Sequence, residues 1–154
     1  MIDWPIAELL PHAGAMILLD AVVAFEAESI LCRRHVSPGG LFQESDGALP
    51  AWVGVELMAQ AIAAWAGCQA HQQQRAVQLG LLLGTRHYHC NVPRFAVGTT
   101  LAVSAQRNFH DAQGMGVFDC RIEAPGIEAQ ARLTVFSPPD MAAFFAGQSK
   151  ETHA

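Results

Sequence analysis

The stretch GALPAWVGVELMAQAIAAWAG, residues 47–67, decides the fold of this 154-residue chain. From residue 51 to about residue 74, nothing interrupts a helical pattern except two isolated glycines, Gly54 and Gly67. The segment is apolar on nearly every side, which is typical of a buried helix rather than one lying on a surface. Its single acid, Glu56, is therefore unexpected, because a buried carboxylate without a partner is strongly disfavoured.

Segments with strand-like alternation lie on both sides of this helix. Two precede it and four follow it: residues 21–25 and 29–37, then residues 77–91, 99–110, 115–124 and 127–136. This order predicts an α+β fold in which a six-stranded antiparallel sheet wraps around one long buried helix, the hot-dog architecture. The alternative is an open sheet with the helix on one face, which would give the helix a charged outer side.

Two short helices are predicted near the ends of the chain. Asp3 is placed to cap a helical turn that ends near Leu10, and the sequence DMAAFFAG, residues 140–147, suggests a second. There are no repeats and no linker, so residues 1–154 are predicted to form one domain.

Composition excludes several classes of function. The formal net charge of −5 and the absence of a basic stripe argue against nucleic-acid binding. Residues 47–67 approach the length of a membrane span, but Glu56 and Gln60 lie near the middle, where an acid is costly, so no membrane insertion is expected. The first eight residues do not resemble a signal peptide, and the four cysteines lack a disulfide spacing, which favours the cytoplasm. With 51% hydrophobic and only 15% charged residues, much of the surface is expected to meet another subunit.

His12 and Glu56 are the candidates for acid–base chemistry. His12 follows a proline in the sequence LLPHAGAM, where a short loop would present its imidazole to a site; it could equally cap a main-chain carbonyl. Glu56 could be a buried acid that Gln60, one helical turn further on, satisfies. Burial disfavours the charged form of a carboxyl group, which suits a proton donor. Nothing local in the sequence shows that the two residues meet.

Other residues give weaker signals. His87 and His89 alternate along one strand, but without a third clear ligand they do not predict a metal site. Trp52 and Trp65 are interpreted as core residues, and Arg34 as half of an exposed arginine pair.

Two motifs resemble the 3-hydroxyacyl-ACP dehydratases of the hot-dog superfamily: LPHAGAMILLDAVV, residues 10–23, and LPAWVGVELMAQA, residues 49–61. The matching positions are Pro11, His12, Asp20, Pro50, Glu56, Met58, Ala59 and Gln60. A third segment, VPRFAVGTTLAV at residues 92–103, is similar to the family's later turn between strands. The family's usual aromatic run after the histidine is absent, and the PHAG form is more similar to the accessory dehydratases of aryl-polyene and related pigment pathways.

The resemblance implies a reaction and a set of roles. His12 would take a proton from C2 of a 3-hydroxyacyl thioester, and Glu56 would donate one to the leaving C3 hydroxyl. Main-chain N–H groups of Ala51 or Trp52 would hold the carbonyl oxygen, and Gln60 would orient Glu56. Gly14, in the loop that follows His12, is assigned to the substrate-binding site.

The resemblance also implies partners and an assembly. The substrate would arrive on the phosphopantetheine arm of an acyl carrier protein, with no metal or other cofactor. The two catalytic residues of one site would come from opposite subunits of a homodimer or of a heterodimer with a related hot-dog subunit. The alternatives are a hot-dog acyl thioesterase, in which Glu56 activates water, and a non-catalytic acyl-binding or scaffold subunit.

Overall fold

The computed structural model describes residues 2–76 and 80–137 of the chain. Its elements, in chain order, are helix α1 (Ile6–Leu9), a 3-10 turn (Gly14–Met16), strands β1 (Ala21–Phe25), β2 (Ser29–His35) and β3 (Leu49–Pro50), helix α2 (Val53–Gln72), and strands β4 (Leu81–Cys90), β5 (Arg94–Phe95), β6 (Thr100–His110), β7 (Met115–Ala124) and β8 (Ile127–Phe136). Among these, no helix has the length and apolar character needed to cross a membrane.

Six strands form one antiparallel sheet in the order β1-β2-β6-β7-β8-β4, so that β1 and β4 are its edges. The predicted hot-dog fold is confirmed, since a single long helix packs against a six-stranded antiparallel sheet. The two-residue strands β3 and β5 form a separate ribbon next to the start of α2. No pattern in the sequence predicted this ribbon, because two residues cannot display a period.

The core lies between α2 and the sheet. Leu57, Met58 and Ala61 of the helix are fully buried, as are the inward-facing residues of the central strands, Val103 and Ile122 among them. In these strands buried residues alternate with exposed ones, as expected for a sheet with one covered face. The period of two therefore identified the strands correctly.

The helix is not covered on all sides in the single chain. Glu56 is exposed, and Ala59, Ala63 and Ala66 on the same side are only partly buried. The prediction that α2 is enclosed by its own sheet is therefore wrong for this stripe. Alanine is apolar but small, so a stripe of alanines has the sequence pattern of a buried helix face whether or not another part of the protein covers it.

Helix α1 begins after Pro5 and has no side-chain cap, so the predicted capping role of Asp3 is wrong. The helix lies directly on α2: a Cβ added at Gly67 would come 1.9 Å from the carbonyl oxygen of Leu9. Only glycine allows this approach, and it fixes the position of the chain three residues before His12. The short helix predicted at residues 140–147 and the predicted start of strand β4 at residues 77–79 lie outside the described residues.

Candidate active site

A cavity of about 410 Å³ lies beside α2, between the helix and the ends of four strands. Both His12 and Glu56 border it. The remaining lining is largely apolar and comes from the alanine side of α2 and from strands β4, β6, β7 and β8: Ala59, Ile62, Ala63, Trp65, Ala66, Leu82, Met115, Phe118 and Val135 among others. The cavity therefore has two groups that can transfer protons, His12 and Glu56, next to an apolar compartment whose size suits a small ligand.

His12 lies in the loop between α1 and the 3-10 turn and is half-buried. Its Nδ1 atom is buried and has no hydrogen-bond partner among residues 2–76 and 80–137. The alternative in which His12 caps a main-chain carbonyl through Nδ1 does not describe this structure. The hydrogen-bonding capacity of Nδ1 is therefore unused within the described part of the chain.

Glu56 lies in the first turn of α2 and points away from the core. The expectation that it is buried is wrong for the single chain, since its residue is exposed. The carboxylate therefore needs no internal partner for its charge. Its place on the cavity wall, four residues before Gln60, brings it to the same compartment as His12 although the two lie far apart in sequence.

Gln60 holds the loop that follows His12. Its amide oxygen accepts a hydrogen bond from the Leu18 N–H at 2.8 Å, and its amide nitrogen donates to the Met16 carbonyl at 2.6 Å. Both ends of the side chain bind main chain, and the described part of the chain has no hydrogen bond between Gln60 and Glu56, so the structure does not support the predicted role of orienting Glu56. Gln60 instead anchors residues 16–18 to the helix and thereby helps to place His12.

Arg34 strengthens the same anchor. Its guanidinium donates a hydrogen bond to the Leu18 carbonyl at 2.6 Å, and the residue is only 8% exposed. The interpretation of Arg34 as a solvent-exposed residue is wrong. The sequence did not predict this contact, because a main-chain carbonyl has no side chain that could be recognised as the partner, whereas an acidic partner would have been visible as a residue.

The main chain at the start of α2 differs from the predicted binding site for the substrate carbonyl oxygen. The Ala51 N–H donates to the Pro93 carbonyl at 3.0 Å, so it is not available to hold a substrate oxygen. The Ala51 carbonyl in turn accepts a hydrogen bond from the Tyr88 hydroxyl. Ala51, Trp52 and Gly14 do not border the cavity of the single chain.

Trp52 is not a core residue: it is 55% exposed and makes an edge contact with Phe42, ring centroids 5.2 Å apart. Gly14 has a φ of 58°, which glycine adopts without strain, and belongs to the 3-10 turn that Gln60 anchors. Gly14 therefore contributes to the shape of the His12 loop.

Trp65 also borders the cavity; it is 6% exposed and belongs to the core as predicted. The Phe118 ring meets it edge-on at 5.4 Å between centroids, and the Arg107 guanidinium lies over its face at 4.7 Å. Arg107 is held by two hydrogen bonds to Glu28, at 2.7 and 2.8 Å. The hydrogen bond from Arg107 also holds the pKa of the Glu28 carboxyl below its usual range.

His87 and His89 are exposed on strand β4. Within the described part of the chain, no three histidine, cysteine, aspartate or glutamate side chains lie together in a way that could hold a metal ion. The structure gives these two histidines no role in the cavity.

Comparison with known proteins gives a family match. A family model described as ApeP-like, ApeP dehydratase, matches residues 4–146. No curated protein sequence matches the chain.

Solved structures give further matches. The chain is similar to a protein in the dehydratase heterocomplex ApeI:P from Xenorhabdus doucetiae, with 31% identity over 93% of this chain and 96% of that chain, and a TM-score of 0.83. More distant likenesses include the E. coli PaaI protein from the phenylacetic acid degradation operon, at 14% identity over 75% of this chain and 81% of that one, TM-score 0.58. Another is the smu.793 protein of Streptococcus mutans UA159 bound to acetyl CoA, at 16% identity over 76% and 86%, TM-score 0.56. These two likenesses support the fold alone.

Proposed function

The chain belongs to the ApeP-like dehydratase family, and from that premise we propose that it dehydrates a 3-hydroxyacyl thioester on acyl carrier protein to the trans-2-enoyl thioester. We place the reaction in the cytoplasm and in biosynthesis of the aryl-polyene type. The observation that carries the proposal is that His12 and Glu56 of one chain both border one largely apolar cavity. The resemblance implied that the two residues of one site come from opposite subunits, whereas we take both from this chain. The apolar remainder of that cavity suits an acyl chain.

In the proposed reaction, the neutral imidazole of His12 takes a proton from C2, which the thioester carbonyl acidifies. Glu56, in its acid form, donates a proton to the C3 hydroxyl, which leaves as water. The electrons of the C2–H bond become the C2–C3 double bond, and the C3–O bond breaks. Proton transfer from imidazolium to carboxylate, through water, restores the starting state. These steps require no metal and no organic cofactor.

Charge that develops on the thioester oxygen needs a hydrogen-bond donor. With the Ala51 N–H occupied by Pro93, the Trp52 N–H at the entrance of α2 remains our candidate for this role. Because Trp52 does not border the cavity of the single chain, this role requires that the site extends to the entrance of α2 in the assembled enzyme. Gln60 and Arg34 would act as positioning residues through the loop that carries His12.

We further propose that the working enzyme contains a second hot-dog subunit. The match to a dehydratase heterocomplex favours a related but different partner over a second copy. Leu82 and Leu83 on the edge strand β4 are 42% and 55% exposed, and Leu82 borders the cavity. A partner that covers these leucines would also close the rim of the cavity.

The function is tested by the products formed from a 3-hydroxyacyl carrier-protein thioester, with the chain alone and with its hot-dog partner. Enoyl absorbance without release of free carrier thiol is the expected result. Release of free thiol without enoyl absorbance would mean a thioesterase, and binding with neither product would mean a non-catalytic subunit. Either outcome would overturn the dehydratase proposal.

A further inference from the structure

Strand β4 departs from regular geometry beside Tyr88. Its register against β8 shifts so that two residues, His87 and Tyr88, lie opposite the single residue Ala131, which is a β-bulge. His87 has a φ of 57°, a left-handed conformation that residues other than glycine rarely adopt. Bulges re-aim the side chains of the strand that contains them and are frequent next to active sites. The bulge therefore sets the direction in which the Tyr88 side chain points.

The half-buried Tyr88 side chain reaches the start of α2. Its hydroxyl donates a hydrogen bond to the Ala51 carbonyl, which also accepts the Gly54 N–H at 3.0 Å. A Cβ added at Gly54 would lie 3.1 Å from Cζ of Tyr88 and closer still to the hydroxyl. Glycine is unfavourable inside a helix, so its presence here keeps room for the tyrosine oxygen. Burial, followed by the neighbouring Cys90 thiol, raises the pKa of Tyr88, so the hydroxyl stays protonated and able to donate.

This hydrogen bond acts on one particular peptide group. The Ala51 carbonyl and the Trp52 N–H belong to the same planar trans peptide, in which C=O and N–H point in opposite directions. A donor that holds the carbonyl therefore also sets the direction of the N–H. It polarises the peptide as well, which makes the N–H a stronger donor. The Trp52 N–H precedes the first turn of α2, where main-chain N–H groups have no partner within the helix.

We propose that Tyr88 is a positioning residue: its hydroxyl orients and polarises the peptide between Ala51 and Trp52, so that the Trp52 N–H stabilises the charge that develops on the thioester oxygen. This inference rests on the proposed function, with the Trp52 N–H as the donor to that oxygen. The bulge in β4 and the glycine at position 54 serve the same contact. Tyr88 does not border the cavity of the single chain and exchanges no proton with the substrate.

The test compares Tyr88→Phe with the parent in enoyl formation from a 3-hydroxyacyl carrier-protein thioester, each with the hot-dog partner present. Phenylalanine keeps the ring and removes only the hydroxyl. Loss of an oxyanion donor typically costs about 10²–10³-fold in kcat; here the donor stays but is no longer held, so a loss of about tenfold is expected. KM and the pH profile should stay those of the parent, because the interaction strengthens only in the transition state and Tyr88 exchanges no proton.

Thr100→Val is the matched control, since it also removes one hydroxyl, which bonds the exposed His35, and its kcat should equal that of the parent. Gly54→Ala perturbs the same contact from the helix side. Its added methyl group displaces the Tyr88 hydroxyl, so kcat should again fall about tenfold. Because both changes remove one hydrogen bond, the double variant of Gly54 and Tyr88 should be about as fast as the slower single one.

Selective ¹⁵N labelling of the tryptophans of this chain gives a second readout, which does not depend on turnover. The chain has three tryptophans, and Trp52→Phe identifies the main-chain amide resonance of residue 52. In Tyr88→Phe this resonance should shift while the main-chain amides of Trp4 and Trp65 stay in place. The reason is that only the amide of residue 52 shares a peptide group with the carbonyl that Tyr88 holds.

Several results would overturn the inference alone: a parent-like kcat in Tyr88→Phe, a rise in KM without a fall in kcat, an equal loss in Thr100→Val, or an unchanged Trp52 amide resonance. A parent that forms no enoyl product would instead overturn the proposed function, and this inference with it. The behaviour of the parent therefore separates the two failures.

Discussion

The contact between helix α1 and Gly67 is the clearest place to test how the fold positions the site. In Gly67→Ala, the new Cβ would lie 1.9, 2.7 and 2.9 Å from the O, C and Cα atoms of Leu9, whereas ordinary contacts begin at 3.4 Å. The two helices must therefore separate by about 1.5 Å (3.4 − 1.9), because the opposing atoms are main chain and cannot change rotamer. The substitution directly perturbs the segment that leads to His12.

The magnitude follows from two opposing terms. Replacing a mid-helix glycine with alanine stabilises a helix by about 1 kcal/mol. Forcing a methyl group into a closed contact typically costs about 1–3 kcal/mol, and the main-chain clash places this site at the upper end. The expected net loss is about 2 kcal/mol of unfolding free energy, or about 4–8 °C in melting temperature for a chain of this size.

Urea unfolding and thermal melts of Gly67→Ala measure this loss. Gly84→Ala is the control, because a Cβ at that position meets nothing within 4 Å. Enoyl formation by Gly67→Ala, measured well below its melting temperature, should also fall, since Leu9 and His12 move together. Unchanged or increased stability together with parent activity would refute the reasoning, because α1 would not then rest on α2 as described.

Three further predictions concern other parts of the molecule. Gln60→Leu leaves the main-chain groups of residues 16 and 18 unpaired, so urea unfolding should show a loss of about 2 kcal/mol or more, and a parent-like unfolding curve would contradict the anchor. Burial raises the pKa of the thiols of Cys32, Cys68 and Cys120 to about 12, 11 and 12, so a thiol reagent at pH 8 should label only the partly exposed Cys90 in the native chain. Rapid labelling of any of the first three would contradict their burial. The hydrogen bond from Arg107 lowers the pKa of Glu28. The stabilisation that this ion pair gives to the folded chain is therefore present above the usual carboxyl pKa of about 4.3 and is lost as pH falls through the lowered value. The parent should therefore melt above Glu28→Gln at neutral pH, with a difference that shrinks in acid; a difference that grows in acid would have the wrong sign.

Much of the fold could be predicted from periodicity. The long apolar run predicted the ends of α2 to within two residues. The period of two predicted the ends of the long strands β6, β7 and β8 to within one residue. Long elements repeat their pattern often enough to be recognised, whereas the ribbon of β3 and β5 does not. The predicted cap of α1 by Asp3 was wrong, because the helix begins after Pro5 and has no side-chain cap.

The site was harder to predict, because it depends on contacts between distant parts of the chain. The motif residues His12 and Glu56 do border one cavity, but the sequence could not show that Glu56 lies on the open side of α2. It also could not show that Gln60 is occupied by main chain, since a glutamine one turn from a glutamate suggests a local pair. Arg34 was missed for the same reason: its partner is the carbonyl of Leu18, which has no side-chain signature.

The central claim is that His12 and Glu56 act together on a 3-hydroxyacyl thioester. The most direct measurement is the rate of enoyl formation by the parent, His12→Ala, Glu56→Gln and the double variant, each with the hot-dog partner present. General acid–base groups typically contribute about 10²–10⁴-fold, so each single variant should lose at least about 10²-fold while its melting temperature stays near that of the parent. The double variant should be little slower than the slower single one, because both groups serve the same turnover. If either single variant, correctly folded and assembled, forms the enoyl product at close to the parent rate, the two residues are not the catalytic pair.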